Sequence, residues 1–124
     1  MRDQRKKPRL EERHHITVML LPENRAADNR IITLYHETDE VSADGLRFHS
    51  FKPIPVDSFL RIDVDLKPLH RVLALSGIVR WSHRTPGDLR YSVGVELLPL
   101  AADPDLQQWS AYVGGRLKAL TENA

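Results

Sequence analysis

Residues 59–66 alternate apolar and polar side chains without a break. Successive side chains of an extended strand point to opposite faces. Leu60, Ile62, Val64 and Leu66 therefore share one side, and Arg61, Asp63 and Asp65 share the other. A helix, with its period of about 3.6 residues, would scatter both sets around its axis. The segment requires a half-buried antiparallel strand, and that strand requires a partner layer to cover its apolar face.

Stretches of the same kind surround it. His14 to Leu21 mixes β-branched and apolar residues and stops at Pro22. After a polar loop over residues 23–29, Arg30 to His36 resumes a β-rich run. Ser42, Ala43, Asp44 and Gly45 have turn chemistry, and Leu46 to Phe48 opens the next strand. Pro53 and Pro55 mark a loop or a sheet edge. Val72 to Trp81 is a long β-type run in which Gly77 predicts a bulge or bend. A turn signal follows at residues 85–88, where Pro86 precedes Gly87. Beyond it Leu89, Tyr91, Val93, Val95 and Leu97 alternate with Arg90, Ser92, Gly94 and Glu96. Residues 14–98 thus read as six strands in sequence.

The period then changes. Asp103 is a good N-cap and Pro104 suits the first helical position. Leu106, Trp109, Val113, Leu117 and Leu120 recur at three- and four-residue steps, which predicts an amphipathic helix over 103–121. Gly114 and Gly115 weaken that helix by roughly 1 kcal/mol each relative to alanine. Close packing against a neighbour or a hinge would each account for the pair. The expected fold is mainly β: a small six-stranded antiparallel barrel with the C-terminal α-helix packed outside it or across one end. Closure disposes of exposed edges.

With 124 residues the chain has room for one domain, expected over 14–121 behind a basic flexible arm at 1–13. Charge is unevenly placed. Arg2, Arg5, Lys6, Lys7 and Arg9 against Asp3 give the first nine residues +4, so a chain of net +1 leaves −3 for the rest. An arm of this kind is either a solvated tail or an anion clamp. Apolar runs such as Val18 to Leu21, stopped by Pro22, are too short for a membrane-spanning helix, which needs about 20 residues. No apolar stretch follows the basic start as a secretory signal would demand. Cysteine is absent, which removes disulfides, thiol catalysis and cysteine-based zinc sites and fits a cytoplasmic setting.

Catalytic chemistry finds no foothold. Of the six histidines only His14 and His15 are close, and adjacent strand residues face opposite ways, so they do not chelate one metal. Neither a His-Glu-x-x-His helix nor a phosphate-binding glycine loop occurs, and Ser42, Ser58 and Ser76 lack a nucleophile's context. The expectation is a protein that is not an enzyme and holds neither metal nor cofactor.

Three stretches remain. Arg5 and Arg9 stand four apart just before the first strand; Glu40, Ser42 and Gly45 fall between the second and third strands. Gly77, Val79 and Trp81 are followed after ten residues by Tyr91 to Leu97, which contains Val93-Gly94-Val95-Glu96. In this order and spacing the chain resembles the PilZ domain family of cyclic di-GMP receptors, over roughly residues 4–110. The family pattern is an Arg-x-x-x-Arg arm, an Asp/Asn-x-Ser-x-x-Gly motif, a Gly-x-Val-x-Trp-like strand and a Val-Gly-Val-Glu-Phe-like strand. The resemblance implies ligand contacts from Arg5, Arg9, Ser42 and Gly45, with Glu40 in the place of the usual Asp or Asn. Arg9 and Arg13 also satisfy the arm spacing, though Arg5 and Arg9 leave the more typical gap to the strand.

The chemistry is consistent with that assignment. A guanidinium forks onto phosphate or onto guanine O6 and N7 and stacks on a base. A carboxylate accepts from guanine N1 and N2, a serine hydroxyl bonds phosphate or base, and glycine permits positive φ and a close approach. Trp81 is either a core residue or a stacking platform for guanine on the barrel surface. Gly45 and Ser42 would also suit any tight turn, and Arg80 reads as an outward residue facing water. By resemblance the chain is a single-domain receptor that binds cyclic di-GMP and relays the signal to a protein partner in motility, pili or exopolysaccharide control. The alternative is a PilZ-like adaptor that binds no nucleotide. A faintly acidic body argues against nucleic acid as the partner.

Overall fold

Most inward positions in the strands carry apolar side chains, Thr38 and Gly77 being exceptions, and the sheet closes around them. The computed structural model describes residues 8–21 and 32–122. Strands β1 (His15–Leu20), β2 (Ile32–Ser42), β3 (Gly45–Ser50), β4 (Phe59–Leu66), β5 (Arg71–Arg84) and β6 (Tyr91–Leu97) form a closed antiparallel barrel in the order β1-β2-β3-β6-β5-β4. The helix α1 (Pro104–Glu122) follows. The expected architecture of six strands and a C-terminal helix is the observed one.

Parity sorts the core. Ile16 and Val18, Leu46 and Phe48, Leu60 to Leu66 in alternation, Leu73, Leu75 and Val79, and Val93 to Leu97 in alternation are all buried. The alternation that made residues 59–66 legible thus has its physical basis: the even-numbered positions are core and the odd ones are not.

The helix completes the interior. Asp103 caps it, its Oδ1 accepting from the Leu106 N–H at 3.1 Å. Trp109 and Val113 are fully buried in the same cluster as the barrel residues. α1 packs on β2 and β5, which stand on opposite sides of the closed ring, so the helix crosses one open end. Asp105 fixes it to β5 by accepting the Ala74 N–H at 2.8 Å. Among the described residues no helix is long and apolar enough to cross a membrane.

Four local expectations need correction. The irregularity in β5 lies not at Gly77 but between Val79 and Trp81. Gly77 pairs regularly, and its missing side chain makes room for Val95, whose Cγ1 would stand 2.5 Å from a Cβ there. Leu89 belongs to the turn before β6 and is exposed. Glu40 and Ser42 lie inside β2, which runs six residues beyond His36. Leu120 at the end of α1 is exposed rather than packed. Gly114 and Gly115 face open space, which removes close packing as their explanation.

Two predictions follow from packing. Because nothing would meet a Cβ at either glycine, Gly114→Ala and Gly115→Ala should each stabilise the chain by about 1 kcal/mol, read as a raised urea midpoint. His36 stacks on Phe48 with ring centroids 5.0 Å apart, and its Nε2 is buried with no hydrogen-bond partner among the described residues. Burial lowers its pKa below the ordinary 6.5. The unfolded chain therefore takes up a proton that the folded one resists, and stability is lost as pH falls below about 6.5. His36→Phe should flatten that slope in urea titrations from neutral to mildly acidic pH.

Candidate functional site

Two extra residues build the site. In β2 the register against β3 passes from Thr38 opposite Phe48 to Glu40 opposite Arg47, so Asp39 is unpaired in the ladder. In β5 the register against β6 passes from Val79 opposite Val95 to Trp81 opposite Gly94, so Arg80 is the extra residue. Each bulge shifts the inward–outward alternation by one. Without the second, Trp81 would continue the inward series of Leu73, Leu75, Gly77 and Val79. With it, Trp81 turns outward.

The outer face of four neighbouring strands then carries two rows. Glu40 on β2 stands beside Arg47 on β3, Arg47 beside Gly94 on β6, and Gly94 beside Trp81 on β5. In the next row Ser42 stands beside Gly45, Gly45 beside Glu96, and Glu96 beside Ile78. The middle strands thus contribute a glycine to each row, and the surface sinks there into a cavity of about 260 Å³. Gly94 is buried under the Trp81 indole; a Cβ would sit 2.1 Å from the ring. Only glycine lets the indole lie flat on the sheet, where it also stacks against His83 at 5.2 Å between centroids.

Gly45 acts differently from expectation. Among the described residues the only glycine with positive φ is Gly87. Gly45 is required instead by proximity, since a Cβ would stand 2.8 Å from the Val95 carbonyl oxygen. Ser42 is buried, with Oγ within donating distance of Asp44 Oδ1 at 3.2 Å and the Gly45 carbonyl at 3.4 Å. The helix holds this turn from behind. Trp109 Nε1 donates to the Ser42 carbonyl at 3.0 Å, and Ser110 Oγ donates to the Ala43 carbonyl at 2.8 Å.

Charges line the cavity in equal number: Arg9, Arg47 and Arg80 against Glu40, Asp44 and Glu96. Glu40 is bracketed, with Arg9 Nη1 2.9 Å from Oε1 and Arg47 Nη2 3.6 Å from Oε2. Arg47 also donates through Nε to Asp39 at 2.9 Å. That bond, outweighing burial, raises the Arg47 pKa above its ordinary value. On the opposite wall Arg80 Nε meets Glu96 Oε1 at 2.6 Å.

Arg9 is delivered by a segment tied to the barrel. Leu10 is buried and exchanges two backbone hydrogen bonds with Val41, at 2.7 and 2.8 Å. Two residues on, the Glu12 carboxylate accepts from His14 Nε2 at 2.9 Å, Tyr112 OH at 3.1 Å and Arg116 Nε at 2.9 Å. Burial works against the Glu12 charge, yet the bonds from Arg116, His14 and Tyr112 prevail and hold its pKa below the ordinary value. Of the arm expected over residues 1–13, the described part therefore lies against β2 and α1.

Arg9, Glu40, Ser42, Gly45 and Trp81, selected on sequence, line one cavity. Arg5 lies outside the described residues. Arg13 lines a separate cavity with Glu12, His14 and Asp65. Sequence reasoning gave no ligand role to Asp44, Arg47, Arg80, Gly94 or Glu96, although Gly94 and Glu96 stand in the quoted strand motif and Arg80 was read as facing water. Arg47 was recoverable, since a turn closed by Ser42 and Gly45 places Glu40 opposite it. Arg80 was not, because no residue type announces the bulge that carries it. Among the described residues no group of acidic and histidine side chains is arranged to hold a metal ion.

Known proteins bear directly on this arrangement. Solved structures share the fold, among them the following three. The inhibitor of motility MotI/DgrA from Bacillus subtilis superposes with a TM-score of 0.69 at 16% identity, over 94% of this chain and 52% of that one. MrkH from Klebsiella pneumonia, solved as a complex with c-di-GMP, gives 0.71 at 12%, over 98% of this chain and 56% of that one. The PilZ domain of YcgR from Escherichia coli, solved with c-di-GMP, gives 0.64 at 14%, over 98% and 97%. The chain thus spans about half the length of the first two and nearly all of the third. No curated protein sequence matches the chain. The family model described as PilZ domain matches residues 3–113, nearly the whole sequence, and the chain belongs to the PilZ domain family.

Proposed function

We propose that the chain is a receptor rather than an enzyme, and that it binds cyclic di-GMP in the cavity between Arg9, Glu40 and Trp81. The observation that carries this reading is convergence. Residues drawn from the arm, β2, β3 and β5 line one trough floored by two glycines. Two of the structures that share its fold were solved with c-di-GMP.

The ligand carries two phosphate charges and two guanines, and the cavity offers a partner for each kind of group. Arg9 leaves Glu40 for a phosphate or for guanine O6 and N7, with Arg5 acting beside it. Glu40, relieved of Arg9, accepts from guanine N1 and N2. Ser42 lies at the close approach that Gly45 allows, and the Trp81 indole supplies a face for a base. The reading includes a relay of the signal to a protein partner in the cytoplasm, where motility, pili or exopolysaccharide machinery are the candidates.

One observation favours a second reading, an adaptor without nucleotide. Glu40 has a longer side chain than the family's Asp or Asn, and both its oxygens already face arginines. Substitution separates the two readings. If Glu40 reads the ligand, Glu40→Asp binds as well or better, and Glu40→Ala binds about five- to a hundredfold less tightly from unpaired guanine donors. In the adaptor, wild type and Glu40→Ala alike produce no heat.

Calorimetric titration with cyclic di-GMP, GTP and single-stranded RNA tests the proposal. Only the first should bind. Arg9→Ala and Arg5→Ala should each weaken it roughly ten- to a hundredfold, the loss of a charge-assisted hydrogen bond, with the barrel still folded. Wild type giving neither heat nor a thermal shift at large excess of cyclic di-GMP would overturn the receptor reading.

A further inference from the structure

We propose that Arg80 and Glu96 form a second recognition pair in the cavity, with Glu96 selecting guanine over adenine and Arg80 holding the adjoining phosphate. The inference rests on the cyclic di-GMP reading and assigns the half of the ligand that Arg9 and Glu40 leave unread.

The atoms that the pair leaves uncommitted carry the argument. Arg80 meets Glu96 through Nε and Oε1. Among the described residues neither the two terminal guanidinium nitrogens of Arg80 nor Glu96 Oε2 has a hydrogen-bond or ion-pair partner. Those are the atoms that a phosphate and a guanine edge would need. Glu40 differs, with one arginine at each oxygen, and must release one before it can accept. Glu96 is already poised.

Position supports the same assignment. Glu96 and Gly94 lie on the same outward face of β6, two residues apart, or about 7 Å along the strand. Gly94 is the residue that the Trp81 indole covers. A purine stacked on that indole projects its edge along β6 toward the carboxylate. The bulge puts Arg80 immediately before Trp81, so the cation and the aromatic face leave β5 together. Side-chain exposure of 49% for Arg80 and 45% for Glu96 leaves the pair open to a ligand. An ion pair so exposed adds little to fold stability, which makes a purely structural role a poor account of it.

The chemistry gives the selectivity its direction. Guanine presents N1–H and N2–H₂ side by side, two donors that match a carboxylate. Adenine presents an acceptor at N1 beside its N6 donor, and a carboxylate facing that acceptor is repelled.

Calorimetry with cyclic di-GMP and cyclic di-AMP on wild type, Glu96→Gln and Arg80→Met tests the pair. Wild type should prefer the guanine ligand strongly. Glu96→Gln, whose amide can accept or donate, should narrow the preference about tenfold or more, since a polar mismatch at a built site is what discrimination depends on. Arg80→Met should weaken both ligands alike, about tenfold, as loss of a phosphate contact does. A measurement on the ligand side avoids dependence on any variant's folding. The analogue with hypoxanthine in place of both guanines lacks the N2 donors and should bind wild type less tightly than cyclic di-GMP. An unchanged preference in Glu96→Gln, or equal binding of the hypoxanthine analogue to wild type, overturns the assignment while leaving the receptor reading intact. Wild type binding neither nucleotide overturns both.

Discussion

A closed antiparallel barrel allows each strand residue one of two directions, and every inward one must fit a core already filled. The site exists because that rule is broken twice. Asp39 and Arg80 are each inserted without a partner, and each insertion turns a residue outward that strict alternation would have sent into the core. The consequence at β2 is that Asp39 and Glu40, consecutive in sequence, both reach Arg47. At β5 it is that an indole becomes surface. Each bulge forfeits some ladder pairing; in β2 the inward series resumes beyond it with Val41, whereas in β5 the buried series ends at Val79.

The same wall is braced from within and from one end. Trp109 and Ser110 hold the turn between β2 and β3 through its carbonyls, while Tyr112 and Arg116 hold Glu12. α1 therefore touches two of the segments that bring residues to the cavity, the turn with Ser42 and the chain that leads from Arg9. His14, buried and edge-on to Trp109 and Tyr112 at 6.1 and 6.0 Å between centroids, fills the angle between them. The helix whose core side chains close the barrel also positions the site.

How much of this could be read in the sequence depends on whether the governing interaction is local. Residues 59–66 gave strand, face and core together, because alternation is a property of consecutive residues. Asp103 and Pro104 marked the helix start for the same reason. The bulges are not local. Gly77 looked like the irregular position because glycine tolerates bends, but its actual constraint is the Val95 side chain on the neighbouring strand. Gly45 was expected to permit positive φ and a close approach to ligand, or to suit a tight turn, and its observed constraint is a carbonyl on β6. Arg80 and Glu96 stand in or beside the quoted strand motifs, but their pairing depends on the sheet register and was not legible.

The charge balance of the cavity divides the labour of recognising an anion. Three arginines facing three carboxylates leave little net field, so the cavity itself exerts no long-range pull on a dianion. On the proposed reading, the first nine residues, with a net charge of +4, would supply the field that steers a ligand from a distance, a contribution screened by salt. Inside, the paired state keeps each arginine oriented before a ligand arrives. The Arg9 side chain is 37% exposed, and breaking an ion pair of that kind costs at most about 1 kcal/mol. A charge-assisted bond to phosphate contributes roughly 1.5–3 kcal/mol. Exchange of partners is therefore favourable for a ligand that also satisfies the released carboxylate. It is less favourable for a bare anion that takes Arg9 and gives Glu40 nothing in exchange, so on the proposed reading the carboxylates as well as the arginines decide what the cavity accepts.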